Sequence, residues 1–188
     1  YGPGTSGKSN FIKYLLSSPR YSRHLVFDPM QEYDPDEYNV YRPDKVEYEG
    51  GNAELNMVVK DALSWPRAIR PRYLVVDEAA NFLPAGNKPI GGQMSKLAYH
   101  NTHEYPGITV ITSNRHPGDL NRTIREMYDW MLVFGYRGDN ARRKLNGLAE
   151  GLADASEQTG EYEAILVGPQ GEMWLVSPVR DMGEYERL

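Results

Sequence analysis

The sequence GPGTSGKS, residues 2–9, decides the fold, because it matches the pattern G-x-x-x-x-G-K-[ST] of a phosphate-binding loop (P-loop). Its three glycines let the backbone curl closely around a phosphate chain with N–H groups pointing inward. Lys8 would place a positive charge on the β- and γ-phosphates, and the Ser9 hydroxyl would ligate Mg²⁺. The sequence therefore predicts a site for ATP and Mg²⁺ at the start of the chain.

The residues after the loop have the spacing of a helix. Apolar side chains stand at Phe11, Ile12, Leu15 and Leu16, and the positive end of this helix would face the phosphates. A P-loop also needs a buried strand before it, so we expect the first strand to lie upstream of Tyr1. The candidate nucleotide-binding residues are Gly2, Gly4, Thr5, Ser6, Gly7, Lys8, Ser9 and Asn10.

Length and composition limit the class of protein. A chain of 188 residues is long enough for one domain with a real core, and we assign residues 1–188 to a single P-loop ATPase domain. The apolar and charged fractions, 40% and 25%, are typical of globular proteins, and no apolar run approaches membrane-spanning length. The absence of cysteine excludes disulfides and cysteine-ligated metals. The net charge of −5 argues against a general nucleic-acid coat but leaves room for a local basic surface.

A second motif follows a predicted buried strand at residues 73–76. Four apolar residues run directly into Asp77 and Glu78, as a parallel strand does where it ends at an active site. After a P-loop this pair has a specific chemical meaning. Asp77 would hold the Mg²⁺, and Glu78 would polarise the attacking water.

The rest of the chain alternates between strand and helix patterns. Short apolar runs predict strands at 24–27, 107–112 and 130–134, and a closing β-hairpin is predicted from 161–167 and 172–176. Asn52 is a predicted N-cap of one helix, and apolar spacing over 141–152 predicts another. These patterns predict an α/β P-loop NTPase of the RecA-like, catalytic-glutamate type. It would be a three-layer sandwich with a mostly parallel central sheet and a C-terminal β-hairpin.

Together these motifs resemble the FtsK–HerA superfamily of DNA-pumping ATPases. Residues 2–9 look like its Walker A motif, and residues 73–84 look like its Walker B strand and the stretch that follows. Leu25–Pro29 with Glu32 and Tyr33 is similar to its second-strand signature, which gives Asp28 and Glu32 a possible place near the nucleotide. Residues 107–117 are similar to its sensor strand. The sensor would be Asn114, or Arg115 by a one-residue shift.

The two Walker motifs are separated by a short interval. In this respect the chain resembles the compact genome-packaging ATPases of icosahedral viruses with an internal membrane. That resemblance implies a homo-oligomeric ring, a hexamer or pentamer, which threads double-stranded DNA into a preformed capsid. It implies capsid or portal-vertex proteins as partners. It also implies a location at the packaging vertex of the virion or in the host cytoplasm.

Two departures from the family pattern concern the catalytic residues. The family usually has Gln at the sensor position, where this chain has Asn114. Relatives often carry an Arg before the sensor strand that reaches into the neighbouring subunit, and residues 99–104 contain none. We favour Arg125 or Arg137 for that role. The full set of candidates is Arg115, Arg122, Arg125, Arg137, Arg142 and Arg143. The basic run at 137–144 is also a candidate surface for DNA or for the neighbouring subunit.

Three alternatives stay open. A related motor for DNA segregation, conjugation or phage extrusion would share all these motifs. A small-molecule kinase would need an acceptor pocket and would not need Asp77 and Glu78 before a sensor strand. A nucleotide switch without turnover would have lost the catalytic carboxylate, which is present here.

Overall fold

The computed structural model describes residues 7–45, 48–86, 92–100, 108–135, 139–160, 162–176 and 185–187. Its helices are α1 (Lys8–Ser17), α2 (Tyr48–Ser64), α3 (Gly92–His100), α4 (Arg122–Glu126), α5 (Asp139–Asn146) and α6 (Leu152–Glu157). Its strands are β1 (His24–Phe27), β2 (Val40–Tyr41), β3 (Tyr73–Val76), β4 (Thr109–Thr112), β5 (Met131–Phe134), β6 (Ala164–Val167), β7 (Met173–Val176) and β8 (Tyr185–Arg187). Short 3₁₀ turns occupy Pro19–Tyr21, Ala79–Asn81 and Pro117–Asp119.

The first sheet is parallel and has the strand order β2-β1-β3-β4. Its register sets Phe27 beside Val76 and Val76 beside Thr112. Because these residues end their strands, the polar residues that follow them lie together at the carboxyl edge of the sheet. Those residues are Asp28, Asp77 and Ser113, and all three are buried.

Alternating side chains of the parallel sheet supply two separate cores. On one face, Val26 and Val75 pack against Ile12 and Leu16 of α1. On the other face, the buried residues of β1 and β3 pack with those of α2, α3 and α4. The sheet is thus covered by helices on both sides, which is the three-layer arrangement that the sequence predicts.

The second sheet is antiparallel, with the strand order β5-β6-β7-β8. It contains the predicted hairpin as β6 and β7. Strand β5, for which the sequence predicts no direction, pairs antiparallel with β6 and therefore extends the hairpin sheet rather than the parallel sheet. The physical reason is a local core, in which Val133 and Ile165 pack against Leu145 and Leu152 of α5 and α6.

The edge strands of the two sheets, β4 and β5, line a cleft of about 530 Å³ with mostly apolar walls. Phe11, Leu15, Ile111 and Leu132 are among its lining residues. The strand that the sequence predicts ahead of the P-loop lies outside the described residues and stays a prediction.

Two helix boundaries differ from the sequence expectations. Asn52 is not an N-cap, because α2 begins at Tyr48 and the Asn52 side chain instead donates to the carbonyl of Phe82 at 2.8 Å. The helix expected over 141–152 is divided into α5 and α6 by Gly151, which has a left-handed backbone with φ 77°. None of the helices in the described ranges combines the length and the hydropathy that crossing a bilayer requires.

Candidate active site

The last glycine of the P-loop, Gly7, has a left-handed backbone with φ 90° and immediately precedes α1. Its carbonyl accepts the first helical hydrogen bond from the N–H of Phe11 at 2.8 Å. A Cβ on Gly7 would lie 3.1 Å from the ring of Tyr162. Glycine is therefore favoured here both by conformation and by space. The predicted binding residues Gly2, Gly4, Thr5 and Ser6 lie outside the described residues.

Lys8 opens α1 and is 7% exposed. Burial lowers the pKa of its ammonium group, while the charges of Glu78 and Asp77 act in the opposite direction. The three groups therefore lie close enough to interact electrostatically. A buried lysine in an acidic setting is suited to binding a polyphosphate, since the phosphates add the negative charge that favours its charged form. Ser9 and Asn10 follow in the first turn, with Asn10 exposed.

Asp77 is the acidic group in contact with the P-loop helix. It is 1% exposed, and its Oδ2 lies 3.5 Å from the hydroxyl of Ser9. Burial raises its pKa, and a hydrogen bond from the Ser113 hydroxyl to Oδ1 partly opposes that effect. A carboxylate and a hydroxyl oxygen are ligands that suit Mg²⁺, which also keeps waters and phosphate oxygens in its shell. Ser9 and Asp77 therefore fit the metal that the sequence predicts.

Glu78 has an unusual backbone for a residue with a side chain, with φ 46° and ψ 44°. Its N–H donates to Oδ1 of Asp77 at 3.1 Å and to the Ser113 hydroxyl at 3.3 Å. Strained conformations of this kind persist where the surroundings fix them, and they are frequent at active sites. The side chain is 21% exposed and lies 3.5 Å from Nε of Arg115. Its carboxylate is thus accessible to water beside the P-loop lysine.

Asn114 and Arg115 follow β4, next to the acidic pair. Asn114 is 1% exposed, and its side-chain oxygen accepts a hydrogen bond from the N–H of Ala80 at 2.7 Å. The amide thereby fixes the 3₁₀ turn that begins directly after Glu78. Arg115 is the arginine that the structure brings to Glu78, and its charge also acts on Lys8.

The turn after β1 also reaches this site. Asp28 is fully buried, and its carboxylate accepts the N–H groups of Glu32 and Tyr33, each at 3.0 Å. The charge of Glu32 acts on both Lys8 and Asp77. The Tyr33 hydroxyl is buried without a hydrogen-bond partner among the described residues, and burial followed by the Asp77 charge raises its pKa.

The other arginine candidates lie on α4, on α5 or outside the described residues. Arg125 is half-buried on α4, beside a cleft lined by Arg143 and Lys144. Arg137 lies outside the described ranges. Arg122 forms an ion pair with Glu126 on the same helix. Sequence reasoning did not identify two further residues, Ser113 and Tyr162. Ser113 had a signal, since it directly follows a predicted strand, whereas Tyr162 had none.

Comparison with known proteins bears on the fold. No protein-family model matches this sequence, and no curated protein sequence matches it. Among solved structures, the genome packaging NTPase B204 from Sulfolobus turreted icosahedral virus 2 in complex with AMPPCP has a TM-score of 0.72 and 18% sequence identity, over 94% of each chain. The chain has the fold of a viral genome-packaging NTPase.

Two further structures agree with that comparison. The same NTPase in complex with ATP-gammaS has a TM-score of 0.72 and 19% identity, covering 95% of this chain and 94% of the other. The crystal structure of B204, the DNA-packaging ATPase from Sulfolobus turreted icosahedral virus, has a TM-score of 0.74 and 16% identity over 94% of each chain. The predicted α/β P-loop NTPase fold is confirmed, and the resemblance drawn from the motifs is supported at the level of the fold.

Proposed function

We propose that this chain is an ATP-hydrolysing motor that moves double-stranded DNA, with the packaging of viral DNA into a preformed capsid as its task. One observation carries the proposal. Lys8, Ser9, Asp77 and Glu78 lie near one another at the carboxyl edge of the parallel sheet, which supports a site for phosphoryl transfer to water. The two B204 proteins compared above are a genome packaging NTPase and a DNA-packaging ATPase, which supports this task.

In the proposed site, the P-loop backbone and Lys8 bind the phosphates of ATP. Ser9 and Asp77 hold Mg²⁺, which would neutralise charge on the phosphate oxygens. Glu78 orients water for attack on the γ-phosphate, and its fixed backbone keeps the carboxylate beside Lys8. Arg115 would respond to the orientation of the Glu78 carboxylate. Its guanidinium lies 3.5 Å from that carboxylate and would pair with it when it is not oriented towards water.

Asn114 is assigned a positioning role within this proposal. Its amide connects the end of β4 with the turn after Glu78, so movement at the γ-phosphate would reach this turn. An arginine from a neighbouring subunit, Arg125 or Arg137, would complete the charge stabilisation in a homo-oligomeric ring, a hexamer or pentamer. Capsid or portal-vertex proteins would then be the docking partners at the virion vertex, with the host cytoplasm as the site of assembly.

The test is ATP hydrolysis with and without double-stranded DNA, for the wild type and for Glu78→Gln. Glu150→Gln is the matched control, since Glu150 is exposed and remote from the site in sequence. We expect DNA to stimulate turnover. Glu78→Gln should lower turnover by at least about 10²-fold, the usual contribution of a general base, while ATP binding persists. Turnover that survives Glu78→Gln would refute the site and reopen the kinase alternative.

A second outcome concerns the task. Turnover that rises with protein concentration but ignores DNA would keep the ring chemistry and overturn the DNA motor. A related motor for segregation, conjugation or phage extrusion would hydrolyse ATP in the same DNA-dependent way. It would differ in failing to associate with capsid proteins, which co-sedimentation with empty capsids measures.

A further inference from the structure

Four arginines surround a concavity at the amino edge of the parallel sheet, opposite the candidate active site. Arg23, Arg67, Arg70 and Arg72 line a volume of about 490 Å³, and we call these four residues the arginine cluster. Tyr73 and Thr109, the first residues of β3 and β4, line the same concavity. In a chain with a net charge of −5, this is a local concentration of positive charge.

Two members of the arginine cluster are held in place by backbone carbonyls. Arg23 donates from Nε to the carbonyl of Arg70 at 3.0 Å and from Nη2 to the carbonyl of Arg67 at 2.7 Å. Arg70 donates in turn to the carbonyls of Leu63 and Trp65 at the end of α2, at 2.7 and 3.1 Å. These bonds position the guanidinium groups without neutralising their charges.

No described carboxylate forms an ion pair with any of the four guanidinium groups. In contrast, two residues of the basic run at 137–144 form ion pairs with carboxylates. Arg142 is paired with Asp154 and with Glu157, and Lys144 lies 3.8 Å from Asp119. The positive charge available to an external anion is therefore concentrated at the arginine cluster rather than on α5.

The surface beside the cluster is also exposed and apolar. Trp65 is 45% exposed and Ile69 is 64% exposed, and both lie in the segment that carries Arg67 and Arg70. Arg67 and Arg72 are themselves exposed.

Guanidinium groups bind phosphodiesters in a planar, bidentate geometry that does not depend on sequence. This is the chemistry that a motor moving DNA of any sequence requires.

We propose that the arginine cluster is a contact surface for the phosphate backbone of double-stranded DNA. The proposal rests on the proposed function, since it presumes that DNA is what the motor moves. It places the DNA contact at the amino ends of β1, β3 and β4. ATP binds at the carboxyl ends of the same strands.

The test is a fluorescence-anisotropy titration of a short DNA duplex with wild type and Arg67→Gln/Arg72→Gln, at several salt concentrations. These two side chains make no hydrogen bond within the described chain, so their removal should leave the fold intact. Lys60→Gln/Lys96→Gln is the matched control. It removes the same charge from exposed positions on α2 and α3. ATP hydrolysis without DNA is measured for all three proteins.

We expect Arg67→Gln/Arg72→Gln to weaken DNA binding and to reduce the slope of log affinity against log salt by about 2. The ratio of wild-type to variant affinity would then fall about tenfold as the salt concentration rises from roughly 50 to 200 mM. Hydrolysis without DNA should be unchanged, and the control should keep the wild-type slope.

Three results would overturn the proposal. If both double variants lose the same affinity, the binding is a response to net charge alone. If wild type and Arg67→Gln/Arg72→Gln bind DNA equally, DNA lies elsewhere and the motor function stands. If the wild type hydrolyses ATP but binds no DNA, the DNA motor and the cluster both fail.

Discussion

The hydroxyl of Ser113 opposes the effect of burial on the charge state of Asp77, the proposed magnesium ligand, and its removal gives a testable prediction. Ser113 is 4% exposed and donates to Oδ1 of Asp77. Burial raises the pKa of Asp77, and this hydrogen bond is the main effect that opposes it. A hydrogen bond to a charged group contributes about 1.5–3 kcal/mol. Ser113→Ala removes that stabilisation from the charged form of Asp77, so it should raise the pKa of the carboxyl group further.

This change should be visible in metal-dependent nucleotide binding. Magnesium binds the carboxylate and not the carboxylic acid, so the acid limb of Mg²⁺-dependent affinity should move to higher pH. The assay is titration of a non-hydrolysable ATP analogue, with and without Mg²⁺, from about pH 5 to about pH 8. Ser156→Ala is the control, because Ser156 is a fully buried serine on α6.

The reasoning would be refuted if Ser113→Ala and wild type gave superimposable pH profiles in Mg²⁺ while both were folded. A loss of affinity that is equal with and without Mg²⁺ would also contradict it. That result would mean that Ser113 supports the loop rather than the carboxylate.

The same group predicts how stability without metal depends on pH. The folded protein holds the Asp77 proton to a higher pH than the unfolded chain does, because burial raises the pKa of the carboxyl group. The contribution of Asp77 to stability therefore decreases as pH rises from the unfolded pKa through the folded one. Ser113→Ala should extend that decrease to higher pH. Thermal unfolding with excess chelator measures the effect, and added Mg²⁺ should reverse it in the wild type.

Two further predictions concern neighbouring features. Arg115→Ala should lower ATP turnover by at least about tenfold. It should change the free energy of unfolding by less than about 1 kcal/mol, because an exposed ion pair with Glu78 contributes little to stability. Equal turnover of variant and wild type in a steady-state assay would contradict this prediction. Gly51→Ala should destabilise the protein by about 1–3 kcal/mol in urea denaturation, since a Cβ there would lie 2.4 Å from the ring of Phe82. Gly92→Ala is the matched control, because a Cβ on that helical residue meets nothing within 4 Å. This change should leave the free energy of unfolding the same or increase it. Equal effects of the two substitutions would refute the packing argument.

The parts of the site that sequence could predict are those encoded in short, continuous stretches. The P-loop pattern placed Lys8 and Ser9 at the start of a helix, and the apolar run before Asp77 placed that carboxylate at the end of a buried strand. Parallel strands end at a common edge, so adjacency of the two motifs followed from the fold class. In the structure, the Ser9 hydroxyl lies 3.5 Å from Oδ2 of Asp77.

The direction of β5 could not be predicted, because a four-residue apolar strand has the same pattern whichever way it pairs. Its partner is fixed by contacts that are distant in sequence. Val133 packs with Ile165, Leu145 and Leu152 in a core of its own. The same limit applies to Tyr162, whose ring lies 3.1 Å from where a Cβ on Gly7 would stand although the two residues are far apart in sequence. Only tertiary structure brings such pairs together.

Which charged residues form ion pairs could not be predicted from the sequence, for a related reason. Arg142, Arg143 and Lys144 form a conspicuous basic run, but acidic groups on α6 and before α4 pair with two of them. The arginine cluster is spread over residues 23–72, and it becomes a cluster only when β1 and β3 pair in register. Available charge is a property of the folded surface, since it depends on which carboxylates the fold places nearby.

The two proposed sites lie at opposite ends of the same strands, and this arrangement constrains how they could be coupled. Strands β1, β3 and β4 have four residues each, so about 13 Å of paired backbone separates the arginine cluster from Asp77. If DNA changes the affinity for an ATP analogue by some factor, then the analogue must change the affinity for DNA by the same factor. Arg67→Gln/Arg72→Gln should remove both effects together while the intrinsic affinity for the analogue is kept. A variant that lost DNA binding but kept DNA-stimulated hydrolysis would show that a different surface conveys the signal.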